Sequence, residues 1–369
     1  MDCCVEKYLP SHNLTYSLRE QNRKEFFLSK NKNLNRAKVA KNDEFYTQLS
    51  DIEKELYHYR DQFKDKVIFM NCDDPKESNF WKYFYLNYQF LGIKKLISTH
   101  YDENESTYKL EYGYDEDGQL EIIETPLEGN GDFRSAECIE LLKEADLVIT
   151  NPPFSLFRDY VAQLIEYDKD FIIIGSKNAI TYKEIFPLIK DNKMWLGINS
   201  GNGTMHFMQP DTDELKSVAS YWYTNMPHSK RNEELILWQS YDPENNPKYD
   251  NYDAIEVSKV KEIPKDYYGV MGVPITFLNN YNPNQFEILG LTTGRSEFSE
   301  ESYPTKRYVN AIQHNKNGTT TSGSKANTRS TLLHKEIPNK SVYYTADNAD
   351  GYLTIVYARI LIKRKDRNK

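Results

Sequence analysis

The 369-residue chain is 39% hydrophobic and 14% aromatic, enough for one large α/β domain with additions or for two domains. No run of about 18 apolar residues occurs, which excludes an apolar membrane-spanning helix, and the start Met1-Asp-Cys-Cys-Val-Glu6 lacks the basic and apolar stretches of a secretory signal. The net charge of −8 argues against a nucleic-acid partner only if charge is spread evenly, and it is not: Arg19, Arg23, Lys24, Lys30, Lys32, Arg36, Lys38 and Lys41 crowd one stretch, Lys363–Lys369 is basic, and acidic residues concentrate at 102–125. Basic arms on an acidic body suit phosphate contact, although such arms are commonly just solvated.

Four cysteines (Cys3, Cys4, Cys72, Cys138) show neither paired metal spacing nor a disulfide framework, and the seven histidines form no pair at ligand spacing. No metal is expected, and a reducing, cytoplasmic setting is.

Residues 1–35 read as a flexible, basic N-terminal extension. Asn42 or Asp43 can cap a helix carrying Phe45, Leu49, Ile52, Leu56, Tyr59 and Phe63 at alternating spacings of four and three. Lys66–Asn71 is a buried strand ending in Cys72-Asp-Asp-Pro75, Ser78 caps a second helix closed by Gly92, and Lys95–Thr99 is the next strand. Strand, helix and strand over about 35 residues predict a βαβ unit with parallel strands.

Thr107–Tyr112 and Gln119–Glu124 flank the hairpin turn Asp115-Glu-Asp-Gly118, and a tight loop follows at Gly129-Asn-Gly-Asp-Phe-Arg134. A helix over Ser135–Ala145 leads into the strand Leu147–Thr150, which Asn151-Pro152-Pro153 must end because proline donates nothing to a ladder. A helix pattern starts at Ser155, Phe171–Gly175 is a buried strand, Ile180–Lys190 is a weaker helix, and Met194–Ile198 and Thr204–Met208 are candidate strands. The alternation predicts a doubly wound α/β core over residues 36–210. In the remainder, 211–369, Tyr221–Thr224 and Leu235–Gln239 read as strands, and 292–340 as a polar insertion, either disordered or a loop-rich recognition element. Leu353–Lys363 reads as a returning strand.

The Asn151–Phe154 turn is presented at the carboxyl end of a strand, where open α/β sheets bind ligands. The Asn151 side-chain oxygen and the Pro152 carbonyl can accept both N–H groups of a planar exocyclic amine and draw its nitrogen towards sp3 geometry, with Phe154 stacked on the ring. The bland alternative is a proline-capped turn. Two more loops converge on that edge. Asn71–Pro75 lacks the glycines of common nucleotide-binding turns, and in Gly131-Asp132-Phe133 a carboxylate and a ring can hold an adenine, or simply form a turn.

Several rarer strings, in one order, make the resemblance specific: Asp43-Glu-Phe-Tyr-Thr47, Asn71-Cys-Asp-Asp-Pro75 with Ser78-Asn-Phe80 and Lys82-Tyr-Phe84, Gly131-Asp-Phe-Arg-Ser135 and Thr150-Asn-Pro-Pro-Phe-Ser-Leu-Phe-Arg158. Further strings are Ile180–Glu184, Trp195–Gly197, Lys248–Ala254, Tyr268–Leu278 and Ala358–Lys363. The chain resembles the EcoRI-type adenine-specific DNA methyltransferases over most of residues 35–290 and the tail.

The resemblance implies a Rossmann-like methyltransferase fold with S-adenosylmethionine as methyl donor, a C-terminal target-recognition region, and double-stranded DNA as substrate. A restriction endonuclease acting on the same site is the implied counterpart, not a stable subunit. By the resemblance, Asn151, Pro152, Pro153 and Phe154 form the methyl-transfer site. Phe45 and Thr47 line the methionine end of the cofactor pocket, Asn71, Asp73 and Asp74 occupy the turn after the first strand, Asp132 and Phe133 hold the adenosine, and Asn151 borders cofactor as well as base. Asp102 or Glu103 is the ribose ligand, and the sequence does not choose between them. Arg295, Lys306, Arg307, Lys325 and Arg329 are candidate DNA contacts. The alternatives are a protein glutamine methyltransferase, or a catalytically silent DNA-binding protein on the same fold.

Overall fold

The computed structural model describes residues 46–72, 74–103, 106–201, 203–208, 215–293 and 302–365. Phe45, Asp73, Arg295, the basic stretch 19–41 and the proposed Asn42 or Asp43 cap lie outside them. The first elements are β1 (Tyr46–Thr47) and α1 (Leu49–Leu56), followed by β2 (Val67–Met70), α2 (Asn79–Leu91) and β3 (Lys95–Thr99). The helix expected from residue 42 therefore starts later. Tyr46 and Thr47 are extended because they pair with Met208 and Phe207, and Gln48 provides the turn into α1. Ser78 caps α2 as expected, accepting from Phe80 N and Trp81 N, and Gly92 closes it at φ 65°.

The expected hairpin is β4 (Tyr108–Tyr114) and β5 (Leu120–Pro126); then come α3 (Ala136–Glu144), β6 (Leu147–Thr150), α4 (Phe157–Glu166), β7 (Asp170–Ser176), α5 (Phe186–Lys190), β8 (Trp195–Leu196), β9 (Met205–Met208), β10 (Leu215–Val218) and β11 (Ser220–Thr224). The central sheet has the order β5-β4-β3-β2-β6-β7-β11-β8. Its middle strands β3, β2, β6 and β7 are parallel, and the outer pairings are antiparallel. β2 is apolar throughout, β6 is apolar up to Thr150, and both are buried, as central parallel strands require.

Alternate strand residues serve opposite cores. Val67, Phe69, Val148, Phe171 and Ile173 meet residues of α3 and α4, whereas Ile68, Met70, Ile149, Ile172 and Ile174 meet residues of α1 and α2. Helices thus cover both faces of a mixed α/β sheet. The chain runs from β2 outward to β3, then returns across β2 to β6 on the other side. Open α/β sheets bind ligands at a reversal of this kind, which here falls at the carboxyl ends of β2 and β6. The sheet also takes β11 from beyond the expected boundary at 210.

Beyond it lie β12 (Ile255–Glu256), β13 (Met271–Pro274), β14 (Phe286–Leu291), β15 (Ile312–Asn315), β16 (Thr320–Ser322), β17 (Thr331–His334), β18 (Val342–Thr345), β19 (Tyr352–Ile355) and β20 (Arg359–Arg364). They form a four-stranded sheet, β12-β13-β20-β14, and a five-stranded sheet, β16-β15-β18-β19-β17. The described part of the 292–340 insertion is therefore a sheet rather than disorder. The single returning strand expected over 353–363 is two strands in different sheets. Residues 235–239 form no strand: Gln285 satisfies the Leu235 amide and carbonyl with its side chain at 2.9 and 2.7 Å. The expected helix at 180–190 is a 3-10 turn over Lys177–Thr181 and, after it, α5.

Candidate active site

β6 delivers Thr150 fully buried, and the chain then leaves the ladder through a half-buried Asn151, a buried Pro152 and half-buried Pro153 and Phe154. A 3-10 turn over Phe154–Leu156 runs straight into α4, and the Leu156 amide donates to the Pro153 carbonyl at 3.0 Å. Phe157 anchors that helix, fully buried so close to Gly175 of β7 that a Cβ there would lie 2.3 Å from its ring. The turn is held at both ends, one by the sheet and one by the helix.

Asn71, 2% exposed, follows β2 directly; the parallel register Phe69↔Val148 sets it beside the end of β6. Its Oδ1 accepts from the Tyr160 hydroxyl, and its buried Nδ2 has no partner among the described residues. Thr47 is 4% exposed, its Oγ1 equally without a partner there, and its carbonyl accepts from Asn79 Nδ2 at 2.8 Å. Buried polar groups are normally satisfied, so two groups without a partner among the described residues fit a polar ligand.

The acidic candidates are already engaged. Asp74 accepts from the Tyr108 hydroxyl at 2.7 Å and the Lys76 amide at 3.0 Å, and its other oxygen lies 3.4 Å from His100 Nδ1. It fastens the β2 loop to β4. Burial and this carboxylate push the Tyr108 hydroxyl well above the usual phenol range. Asp132 takes Arg134 bidentately at 2.9 and 2.7 Å, which holds its carboxyl below the usual range. Phe133 is 4% exposed, edge-on to Tyr160 at 5.0 Å. Gly131 (φ 74°) brings this loop so close to β3 that a Cβ would sit 2.2 Å from the His100 carbonyl, and the Asp102 amide donates to the Asn130 carbonyl at 3.1 Å. Glu103 accepts from the Tyr101 hydroxyl at 2.8 Å.

The candidate DNA contacts separate. Arg307 and Lys325 are exposed and Arg329 half-buried, all on the segments around the five-stranded sheet. Lys306 is paired within the protein: its Nζ lies 2.9 and 3.2 Å from the two oxygens of the mostly buried Asp250, which also accepts from Tyr308 at 2.7 Å.

Sequence reasoning missed Tyr160 and Gln163, the polar groups on the inner side of α4. Gln163 Nε2 donates to the Phe133 carbonyl at 3.1 Å. The signal available was two hydrogen-bonding residues three apart on the buried face of the helix that follows the turn.

The family model for adenine-specific methyltransferase EcoRI matches residues 33–365. The Type II methyltransferase M.EcoRI of Escherichia coli is 47% identical over 297 residues, 72% of this chain and 91% of that protein. The Type II methyltransferase M.MpnI of Mycoplasma pneumoniae is 43% identical over 273 residues, 69% of this chain and 84% of that one. No solved structure matches the chain. The Asn-Pro-Pro-Phe turn after β6, with the buried Asn71 after β2, thus occurs in a chain that belongs to the EcoRI family of adenine-specific methyltransferases.

Proposed function

We propose that this S-adenosylmethionine-dependent, adenine-specific methyltransferase modifies N6 of one adenine in a specific duplex DNA sequence, with residues 151–154 as the reacting turn on a Rossmann-like core. The observation that carries this is the position of Asn151 at the sheet reversal, beside Asn71. When bound, S-adenosylmethionine supplies an electrophilic sulfonium methyl group. Thr47, Asn71 and the Asp132–Phe133 loop are the residues that would hold it.

The chain's own part is placement. The target adenine leaves the stack because its amine cannot be reached inside the duplex. The Asn151 oxygen and the Pro152 carbonyl then accept the two amine N–H groups, which localises the nitrogen lone pair. Phe154 stacks on the base. Orientation and fixed dipoles supply the rate.

Target choice falls to the region after residue 224. Residues 302–345 carry seven basic side chains and one acidic one in a chain of net charge −8. The β15–β16 hairpin presents Thr320–Ser322 exposed, beside a His314 ring stacked on Tyr343 at 4.6 Å. A polar two-stranded ribbon of this kind fits a major groove. The setting this reading implies is a bacterial cytoplasm, the enzyme being bacterial or phage-encoded, with a restriction endonuclease that reads the same site as its counterpart.

Asn151→Ala tests the reading. It abolishes methyl transfer to DNA while S-adenosylmethionine still binds. Retained adenine methylation in the variant refutes the assignment.

A further inference from the structure

The helix that leaves the reacting turn also grips both loops assigned to the methyl donor. Tyr160 is fully buried, its hydroxyl donating to Asn71 Oδ1 and its ring set against Phe133. One turn on, Gln163 Nε2 donates to the Phe133 carbonyl. A primary amide has one acceptor end and one donor end. With Oδ1 committed to Tyr160, and the Cys72 thiol 3.8 Å away on the same oxygen, the donor end of Asn71 is set. That Nδ2 is buried and finds no acceptor among the described residues. A donor whose orientation is fixed in this way is preorganised for an anionic oxygen, because the amide does not have to flip when the acceptor arrives.

We propose that Tyr160 is a positioning residue for the methyl donor: its hydroxyl locks the Asn71 amide so that Nδ2 donates to the carboxylate at the methionine end of S-adenosylmethionine. This rests on the reading of the carboxyl ends of β2 and β6 as the cofactor site. It assigns a role to a side chain that touches neither base nor donor. It also ties cofactor and base together mechanically, since Tyr160 sits on the helix that Asn151–Phe154 opens into.

The test is Tyr160→Phe, which keeps the ring and removes the hydroxyl. Binding of S-adenosylmethionine and of methylthioadenosine, which lacks the amino-acid end, is measured by calorimetry, alongside kcat and both KM values. A hydrogen bond to a charged group corresponds to roughly ten- to a hundredfold in affinity. Kd and KM for S-adenosylmethionine should rise by about that factor, kcat should fall far less, and KM for DNA and the affinity for methylthioadenosine should hold. Should Tyr160→Phe fail to fold, Asn71→Asp retains an acceptor for Tyr160 but places a carboxylate against a carboxylate. It should lose S-adenosylmethionine and keep methylthioadenosine. Equal weakening of both ligands, or an unchanged S-adenosylmethionine affinity, overturns the proposal. A wild-type protein that binds both ligands yet methylates no DNA refutes the adenine reading and leaves this one standing.

Discussion

Replacing Lys306 by Ala separates the structural cations of the C-terminal region from those available to DNA. Lys306 and Asp250 have side chains 28% and 13% exposed, with Nζ within 3.2 Å of both carboxylate oxygens. Exposed ion pairs contribute about 0.2–1 kcal/mol, and breaking a buried one costs about 3–5 kcal/mol. This partly buried pair falls between, at roughly 1–3 kcal/mol, because removal leaves Asp250 with the Tyr308 hydroxyl as its side-chain partner among the described residues. Urea unfolding should show that decrease, and the Lys306→Ala/Asp250→Asn double variant should recover part of it. Salt titrations of DNA binding should leave the slope of Lys306→Ala unchanged. Exposed Lys325→Ala or Arg307→Ala should instead lower it by about 0.9 for each phosphate no longer neutralised, with stability intact. A reduced salt slope with unchanged stability in Lys306→Ala would contradict the reasoning.

Gly131→Ala should drive its Cβ into the His100 carbonyl, displace the 129–133 loop and weaken S-adenosylmethionine binding, while Gly118→Ala, at a similar φ of 74° but in open space, should leave binding alone; equilibrium binding decides. His228 is held neutral by burial, its pKa pushed down to about 4, with Nε2 3.0 Å from the Leu196 carbonyl. Because the folded value lies below the unfolded one, its contribution is complete above about pH 6.5 and is lost as pH falls towards 4. His228→Gln should flatten the urea midpoint across that window, and an unchanged slope counts against the burial argument. Phe154→Ala should raise KM for DNA and lower kcat with little change in S-adenosylmethionine affinity, as steady-state kinetics and calorimetry can establish.

The Asn151–Phe154 turn was legible because its signals are local: an apolar run, two prolines that cannot pair, and a helix pattern immediately after. The βαβ scaffold was legible for the same reason, through Ser78 and Gly92 at the ends of α2. What escaped depends on distant partners. Tyr46 and Thr47 are a strand only because residues 207–208 lie beside them. Leu235–Gln239 has strand-like alternation, but its backbone is met by the Gln285 side chain at Leu235 and by the Lys265 amide at Gln239. The polar strands β15 and β16 carry no apolar alternation, being held by pairing and by bonds such as Tyr344 to Gln313 at 2.9 Å. The commitment of Asp74 to Tyr108, and of Lys306 to Asp250, likewise joins residues that no local pattern connects.

Delivery of a methyl group to the exocyclic amine of adenine by the turn at Asn151–Phe154 is directly measurable. Purified protein, S-adenosylmethionine labelled in its methyl group, and duplex DNA of mixed sequence, followed by nuclease digestion and mass spectrometry, measure it directly. The label should appear as N6-methyladenine in one sequence context, and Asn151→Ala should remove it. Label on cytosine, on the glutamine amide of added protein, or on no acceptor at all would contradict the account.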